Sequence, residues 1–457
     1  MAKQKSFDYD LIVLGSGAGG SPAASLAAQA GKKVAVVEAN MFGGESPNYG
    51  DVPLKALLHA AQLYDEAKHG SRFGIRSSML GYNYVSLKTW KDLAIKRTGA
   101  GNSRKFYEKQ GIDTFNSIAH FLSPNEISIS RRHLSASHFL IATGSHWEEP
   151  DIIGMKQLKY YTPKTMFDLI RPPKTLAIIG GGSTAVEFAQ LFSTFGTKVY
   201  ILEKSSRLLP DEDSEAGELI ERVLREQKGV TSLTHTRILT AQKDGLAKRI
   251  TYSRGGVDKS FRVDEILVTV GRTPTVDLGL ENAQVTYTPK GIETDEFLQT
   301  SAKHIYAAGD VLGNKKQLHT AVLESRIAAG NILHKPRVRP DYTATPAVTY
   351  TFPGVASVGL SEDDCIRRDL DVKKSIAPLN MVARSNTSDF RDGFVKLIAD
   401  KSGVLIGATI VAPHAAEIIH ELTVAIRHGL TAHDLASTPH AFLSWSEAVR
   451  VAASRIS

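Results

Sequence analysis

The chain has 457 residues, 42% of them hydrophobic, which excludes a disordered polymer and exceeds one ordinary core, so two to four domains are expected. Its net charge of +7 is dispersed, with only short basic runs at Arg131-Arg132 and 335–339, which excludes a nucleic-acid-binding surface. A single cysteine, Cys365, excludes any disulfide within the chain, structural or redox-active.

In chain order, Met1-Ala2-Lys3-Gln4-Lys5 leads straight into a strand at 9–14 with no signal-peptide apolar region. No stretch approaches about 18 uninterrupted apolar residues, so a cytoplasmic protein without a membrane span is expected. After the strand come Gly15-Ser16-Gly17-Ala18-Gly19-Gly20, a small-residue helix to 30, a second strand at 34–37, and Glu38. The same unit returns as a strand at 176–179, Gly180-Gly181-Gly182-Ser183-Thr184-Ala185, a helix to 194, a strand at 199–202, and Glu203. In both copies 23 residues separate the first glycine from the acid. Gly15 and Gly180 permit the tight turn, Gly17 and Gly182 let backbone approach a pyrophosphate, and Gly20 and Ala185 let helix and strand pack closely. Each helix N-terminus offers free N–H groups to phosphates, and Glu38 and Glu203 are placed to accept hydrogen bonds from ribose hydroxyls. Two dinucleotide sites follow. At the second, Ala185 in place of a third glycine often accompanies a phosphorylated nicotinamide cofactor, whereas Glu203 would repel a 2′-phosphate at ~4 Å by about 1 kcal/mol or more. NAD is therefore expected, with Lys204 and Arg207 keeping NADP open.

Between and beyond these units lie Ile141-Ala142-Thr143-Gly144-Ser145, Val270-Gly271-Arg272-Thr273-Pro274, Ile305-Tyr306-Ala307-Ala308-Gly309-Asp310 and Gln317-Leu318-His319-Thr320-Ala321. Phe352-Pro353-Gly354-Val355-Ala356-Ser357-Val358-Gly359-Leu360 opens a C-terminal segment in which 394–399 and 404–408 read as an alternating hairpin and 415–427 as an amphipathic helix. In this order the motifs resemble those of the pyridine nucleotide-disulfide oxidoreductases, especially the dihydrolipoamide dehydrogenase and mercuric reductase branch, over nearly the whole length. The resemblance implies an α/β chain with two Rossmann-type domains and an α+β C-terminal dimerisation domain. The FAD-binding domain would span 1–147 and 273–338, the NAD(P)-binding domain 148–272 and the interface domain 339–457, assembled as a homodimer. It also implies FAD contacts from Gly15, Gly17, Gly20, Glu38, Gly44, Lys55, Ala119, Thr143, Gly144, Asp310 and Ala321. The NAD contacts would come from Gly180, Gly182, Ala185, Glu187, Glu203 and Gly271.

The family's short redox helix carries G-G-x-C-x-N-x-G-C-x-P-x-K. Here the segment reads Gly43-Gly44-Glu45-Ser46-Pro47-Asn48-Tyr49-Gly50-Asp51-Val52-Pro53-Leu54-Lys55, with the scaffold kept and both cysteine positions replaced, by Ser46 and Asp51. Neither residue shuttles electrons, and Ser46, read as having no adjacent base, is a poor nucleophile, so disulfide exchange by the family mechanism is not expected. Where the family has a histidine base paired with a glutamate five residues on, this sequence has Phe442 and Glu447. His440, two positions earlier, is the alternative base. The other half of the site is kept: Lys55 and Glu187 match the family's lysine beside flavin N5 and its glutamate partner, and they are the catalytic candidates, a solvated helix-face pair being the alternative. Asp51, four residues before Lys55, would compete for the ammonium and bring negative charge to the flavin; a purely structural, helix-capping Asp51 stands equally.

Fifteen histidines are scattered without zinc or facial-triad spacing, so no metal site is expected. Cys365 follows Glu362-Asp363-Asp364, which makes it a poor thiolate. Trp445 and Phe442 read as packing residues at the flavin face of the partner subunit, with a stacking platform for an aromatic acceptor as the alternative. The expected function is hydride transfer from NAD(P)H to FAD, then direct transfer to an external small-molecule acceptor: oxygen, a quinone, another nicotinamide or a metal ion. Acceptor access is expected at Tyr49, Asp51 and Phe442. The rival expectation is a catalytically silent, nucleotide-binding redox sensor or partner-binding homologue of dihydrolipoamide dehydrogenase. Disulfide reduction survives only if an external thiol replaces the missing pair.

Overall fold

The computed structural model describes residues 7–76, 79–99, 103–313, 317–334 and 336–456; the opening Met1-Ala2-Lys3-Gln4-Lys5 and Lys335 of the basic run lie outside them. The chain forms two compact units, one of Met1–Pro53, Thr89–Glu149 and Gly271–Asp341, the other of Leu54–Lys88, Pro150–Val270 and Tyr342–Ser457.

In the first unit the apolar run Tyr9–Leu14 is a strand buried on both faces, as uninterrupted hydrophobic strands of parallel sheets are. It pairs in parallel with Val34–Glu38 and with Arg132–Ile141, so that Leu14 stands opposite both Val37 and Ile141. Asp113–Asn116 and Ile305–Ala307 extend the parallel set. Ala119–Ser123 and Glu126–Ile129 fold back antiparallel against the start of Arg132–Ile141. The carboxyl ends at Leu14, Glu38, Ile141 and Ala307 therefore share one edge, the edge at which open parallel sheets bind ligands. Helix Ser21–Gln29 packs closely against helix Leu318–Leu333 because both present small side chains, Ala23, Ala24 and Ala27 on one and Ala328 and Ala329 on the other, all fully buried.

The second unit repeats the motif in a four-stranded parallel sheet ordered Thr231–Leu233, Lys198–Leu202, Thr175–Ile179 and Glu265–Val268. Helix Ser183–Thr194 follows its glycine turn and is buried throughout 185–192. An antiparallel meander of Thr236–Asp244, Ala247–Arg254 and Val257–Val263 is attached. The remaining sheet is antiparallel, in the order Ala347–Thr349, Gly354–Gly359, Leu405–Ala412, Phe394–Asp400 and Val372–Pro378, with helices Ala415–Arg427 and Glu447–Ala453 against it. The predicted hairpin pairs as expected, Phe394 opposite Val411, but its alternation does not survive: all of 394–399 is buried, Lys396 included. The sheet is covered on both faces, and the lysine is tolerated there because carboxylates meet it. Among the described residues no helix is long and apolar enough to cross a membrane.

Candidate active site

The two glycine turns are built alike. Gly15 has φ +105°, and a Cβ there would lie 2.2 Å from Ala142 O; a Cβ on Gly20 would lie 2.0 Å from Gly15 O. Gly180 has φ +106°, with Thr269 Oγ1 2.7 Å from any Cβ. In each turn the amide after the first glycine donates to the acid at the end of the second strand. Ser16 N reaches Glu38 Oε2 at 2.9 Å and Gly181 N reaches Glu203 Oε2 at 2.5 Å. The other oxygens accept from Asn40 N at 2.8 Å and Ser205 N at 2.6 Å. Both carboxylates are buried, at 8% and 6% exposure, so each acid shapes its turn. Gly182 leaves open space, with no atom within 4 Å of a Cβ position, while Ala185 is fully buried in the helix packing. These features fit two bound dinucleotides. Gly15→Ala is expected to leave less than about a tenth of the flavin on the purified protein, because the methyl has no room and φ is strained. Flavin absorbance per chain measures this, and an unchanged ratio would refute the cradle.

The remaining FAD candidates, Lys55 excepted, gather on the first unit. Gly44, at φ +78°, brings its Cα side against Gly17, where a Cβ would meet Gly17 Cα at 2.7 Å. Thr143 Oγ1 donates to Thr275 O at 2.8 Å, and Gly144 O accepts from Thr275 N at 2.9 Å. Asp310 accepts from Ser145 Oγ at 2.6 Å, Ala119 starts a strand in the core, and Ala321 lies buried in the helix beginning at Leu318. Gly271, at φ +54°, faces the Glu148 carboxylate. Sequence reasoning missed a cluster here. Arg272 donates twice to Glu45, at 2.8 Å to each oxygen, and once to Ser145 Oγ at 2.7 Å, with its guanidinium 4.7 Å from the Trp147 ring centroid. Burial alone would lower the guanidinium pKa; the bond and charge of Glu45, then Asp310 and Asp51, outweigh it and hold the group charged. The clamp secures the start of helix Glu45–Tyr49, which carries Ser46 and Tyr49.

At the replaced cysteine positions, Ser46 Oγ donates to Asp51 Oδ2 at 2.7 Å. This corrects the reading of Ser46 as lacking a neighbouring base, although an ordinary carboxylate is too weak a base to make the hydroxyl a strong nucleophile. Asp51 opens helix Asp51–Lys68 and bonds back to Ser46, while Asn48 Nδ2 ties the preceding helix to Phe42 O and Gly44 O. In the second unit Lys55 Nζ lies 2.9 Å from Glu187 Oε2 and 4.9 Å from the Tyr350 ring centroid. Glu187 is 1% exposed, and its Oε1 accepts from Tyr350 N at 2.7 Å. The solvated-pair alternative is therefore wrong on the Glu187 side: this carboxylate is buried and doubly engaged.

In the C-terminal turn the alternative base is engaged at both ring nitrogens. His440 places Nδ1 2.9 Å from Thr438 O and Nε2 2.7 Å from Glu421 Oε1, with its side chain 5% exposed. Glu447, at the position of the family glutamate, approaches Arg450 at 3.7 Å, and its Oε2 is buried without a hydrogen-bond partner among the described residues. Trp445 is a packing residue of its own sheet, edge-on to Phe390. Phe442 is not buried within its own chain, being 74% exposed. Cys365 is buried, and burial followed by the Asp364 and Asp213 charges pushes its thiol up, against thiolate formation. No group of three metal-ligating side chains occurs among the described residues.

Comparison with known proteins agrees with this layout. Residues 9–325 match the family model for pyridine nucleotide-disulphide oxidoreductases, and residues 345–453 match the model for their dimerisation domain. A mercuric reductase of Staphylococcus aureus is 34% identical over 449 residues, covering 98% of this chain and 82% of that protein. A dihydrolipoyl dehydrogenase of Geobacillus stearothermophilus is 33% identical over 456 residues, covering 98% and 96%. Among solved structures, the Cu(II) complex of a cysteine-to-serine mutant of the HOCl-induced flavoprotein disulfide reductase RclA from Escherichia coli superposes with a TM-score of 0.89 at 25% identity, covering 99% of this chain and all of that one.

Proposed function

The chain belongs to the pyridine nucleotide-disulphide oxidoreductases, and from that premise we propose that it is a flavin-dependent NAD(P)H oxidoreductase that works without a redox disulfide and delivers electrons directly to an external acceptor. The observation that carries this reading is the Ser46–Asp51 hydrogen bond at the place of the cysteine pair, in a chain whose Lys55–Glu187 pair is kept. FAD, when bound, supplies the two-electron chemistry, accepting a hydride equivalent from the nicotinamide and passing electrons on. The chain's own residues bind and orient. Glu38 and Glu203 receive the ribose hydroxyls, the glycine turns admit the pyrophosphates, and Glu187 holds the Lys55 ammonium in one position.

NAD is favoured over NADP. Glu203 opposes a 2′-phosphate, and Arg207, one of the two cations that could answer it, engages Pro210 O, Glu212 O and Asp363 Oδ2 through Nη2, which leaves the exposed Lys204. The acceptor is oxygen, a quinone, a second nicotinamide or a metal ion. A metal ion gains support from relatives named for mercury and for a Cu(II) complex. The matched dimerisation domain supports a homodimer. A silent nucleotide-binding sensor is the competing reading, and the buried, doubly bonded Glu187 weighs against it because a binding-only relic has no need of a constrained lysine.

Anaerobic titration with NADH tests the proposal. The flavin is expected to bleach after two electrons, with no thiolate-to-flavin charge-transfer band, and NADPH is expected to do the same less efficiently. A flavin that never bleaches leaves the silent reading standing, and an uptake of four electrons would falsify the disulfide-free one.

A further inference from the structure

Residues 205–213 of the second unit run beneath the glycine turn of the nicotinamide site. Leu208 is fully buried and lies 2.9 Å from where a Gly181 Cβ would stand, and Leu209 N donates to Gly181 O at 2.8 Å. Leu209 is held at φ +49°, a conformation uncommon for a leucine. Glu212 closes the turn. Its N–H donates to Leu209 O at 3.0 Å, and its carbonyl accepts from Arg207 Nη2 at 3.1 Å.

The Glu212 side chain turns inward. Its Oε2 is buried with no hydrogen-bond partner, Ser357 of the strand Gly354–Gly359 bonds the carboxyl, and Asp211 and Asp213 flank it. Of the cations and polar groups of the surrounding elements, Arg207 bonds Asp363 through Nη2 while its Nε is buried without a partner, Lys396 of Phe394–Asp400 meets Asp213, Glu215 and Glu362, and Thr409 of Leu405–Ala412 donates to Asp213. A sealed carboxyl oxygen between two aspartates is most stable carrying a proton. Burial first, then the two aspartates, push this carboxyl up to about 7 against the bond from Ser357.

We propose that Glu212 is a positioning residue for the nicotinamide nucleotide: protonated, it holds residues 205–213 under the Gly181 turn, and ionised, it swings toward water and lets that support go. The proposal rests on the nucleotide-binding half of the reading above. The sign follows from linkage. Because the folded protein raises the carboxyl's pKa, the held form prevails at low pH and is lost as pH rises through about 7.

Binding of NAD⁺ to the oxidised holoprotein, followed by calorimetry between about pH 5.5 and about pH 8.5, reads this directly. The Kd of the natural chain is expected to rise about five- to tenfold with a midpoint near neutrality. Glu212→Gln is expected to be flat at the low-pH value. Ser357→Ala, which removes a bond favouring the ionised form, is expected to move the midpoint to higher pH. An unchanged rise in Glu212→Gln, or a flat profile in the natural chain, overturns the proposal alone. No NAD⁺ binding at any pH overturns it together with the nucleotide reading on which it rests.

Discussion

Glu187→Ala is expected to slow NADH-driven reduction of the flavin about a hundredfold, the usual size of losing one preorganised electrostatic contact. Both carboxylate oxygens are in use, Oε2 on the Lys55 ammonium and Oε1 on Tyr350 N, so the truncation removes the lysine's anchor and the acceptor of a backbone amide at once. Lys55 retains some solvent, with 27% of its side chain exposed, so the accompanying stability loss is smaller than for a sealed pair, about 1–3 kcal/mol. Glu187→Gln keeps an acceptor for Tyr350 N and removes the charge, which separates the two effects: stability is expected to return and the rate to remain low. Lys55→Ala should slow bleaching to a similar degree, and Ser46→Ala should change it less than about twofold. Stopped-flow absorbance checks the ranking. A slower Ser46→Ala with normal Lys55→Ala would move the site to the other half.

Lys396→Met is expected to destabilise the second unit by about 3–5 kcal/mol, the range for removing one partner of a buried ion pair. Its ammonium is 1% exposed and meets Asp213 Oδ1 at 3.2 Å, Glu215 at 3.0 Å and Glu362 Oε2 at 2.7 Å. Burial alone would lower the lysine's pKa; the bond it donates to Glu362 and the charges of Asp213 and Glu215 more than reverse this. Methionine fills the volume but leaves three carboxylates, one of them sealed, facing each other. Denaturant unfolding checks the magnitude, and a loss below about 1 kcal/mol would show the cluster to be dispensable. The pH dependence has a defined sign. Lys374 and Lys396 hold the Glu362 carboxyl below its usual range, so its contribution is present above that range and is lost as pH falls through the lowered value. The gap between the natural chain and Lys396→Met should therefore narrow in acid.

Why some of this is legible from residues alone is a matter of range. A glycine turn is local: the residue that must lack a Cβ and the acid at the next strand's end stand 23 positions apart, with the first strand directly before them, so Gly15 to Glu38 and Gly180 to Glu203 can be read directly. The Arg272 clamp joins Glu45 and Trp147 across 227 and 125 positions and has no such local trace. The strand Phe394–Asp400 misleads for the opposite reason: its local pattern allows a solvent face, and only the elements packed on it make Lys396 a buried charge. His440 looks available in the sequence because Glu421, which holds it, lies 19 residues away on the helix Ala415–Arg427.

The absence of a disulfide within the chain was decided by the sequence on its own, since one cysteine cannot bridge itself, and so were the two glycine-turn units with their acids. What stands in place of the disulfide was decided by the tertiary structure. Ser46 and Asp51 belong to successive helices that fold toward each other, so two residues read separately in the sequence become one hydrogen-bonded pair. Glu447 shows the same dependence in reverse: with phenylalanine at position 442 and His440 held by Glu421, one of its oxygens is sealed without a partner. Residue identity limits which chemistry is possible, but hydrogen bonds and burial depend on distances that only the folded chain sets.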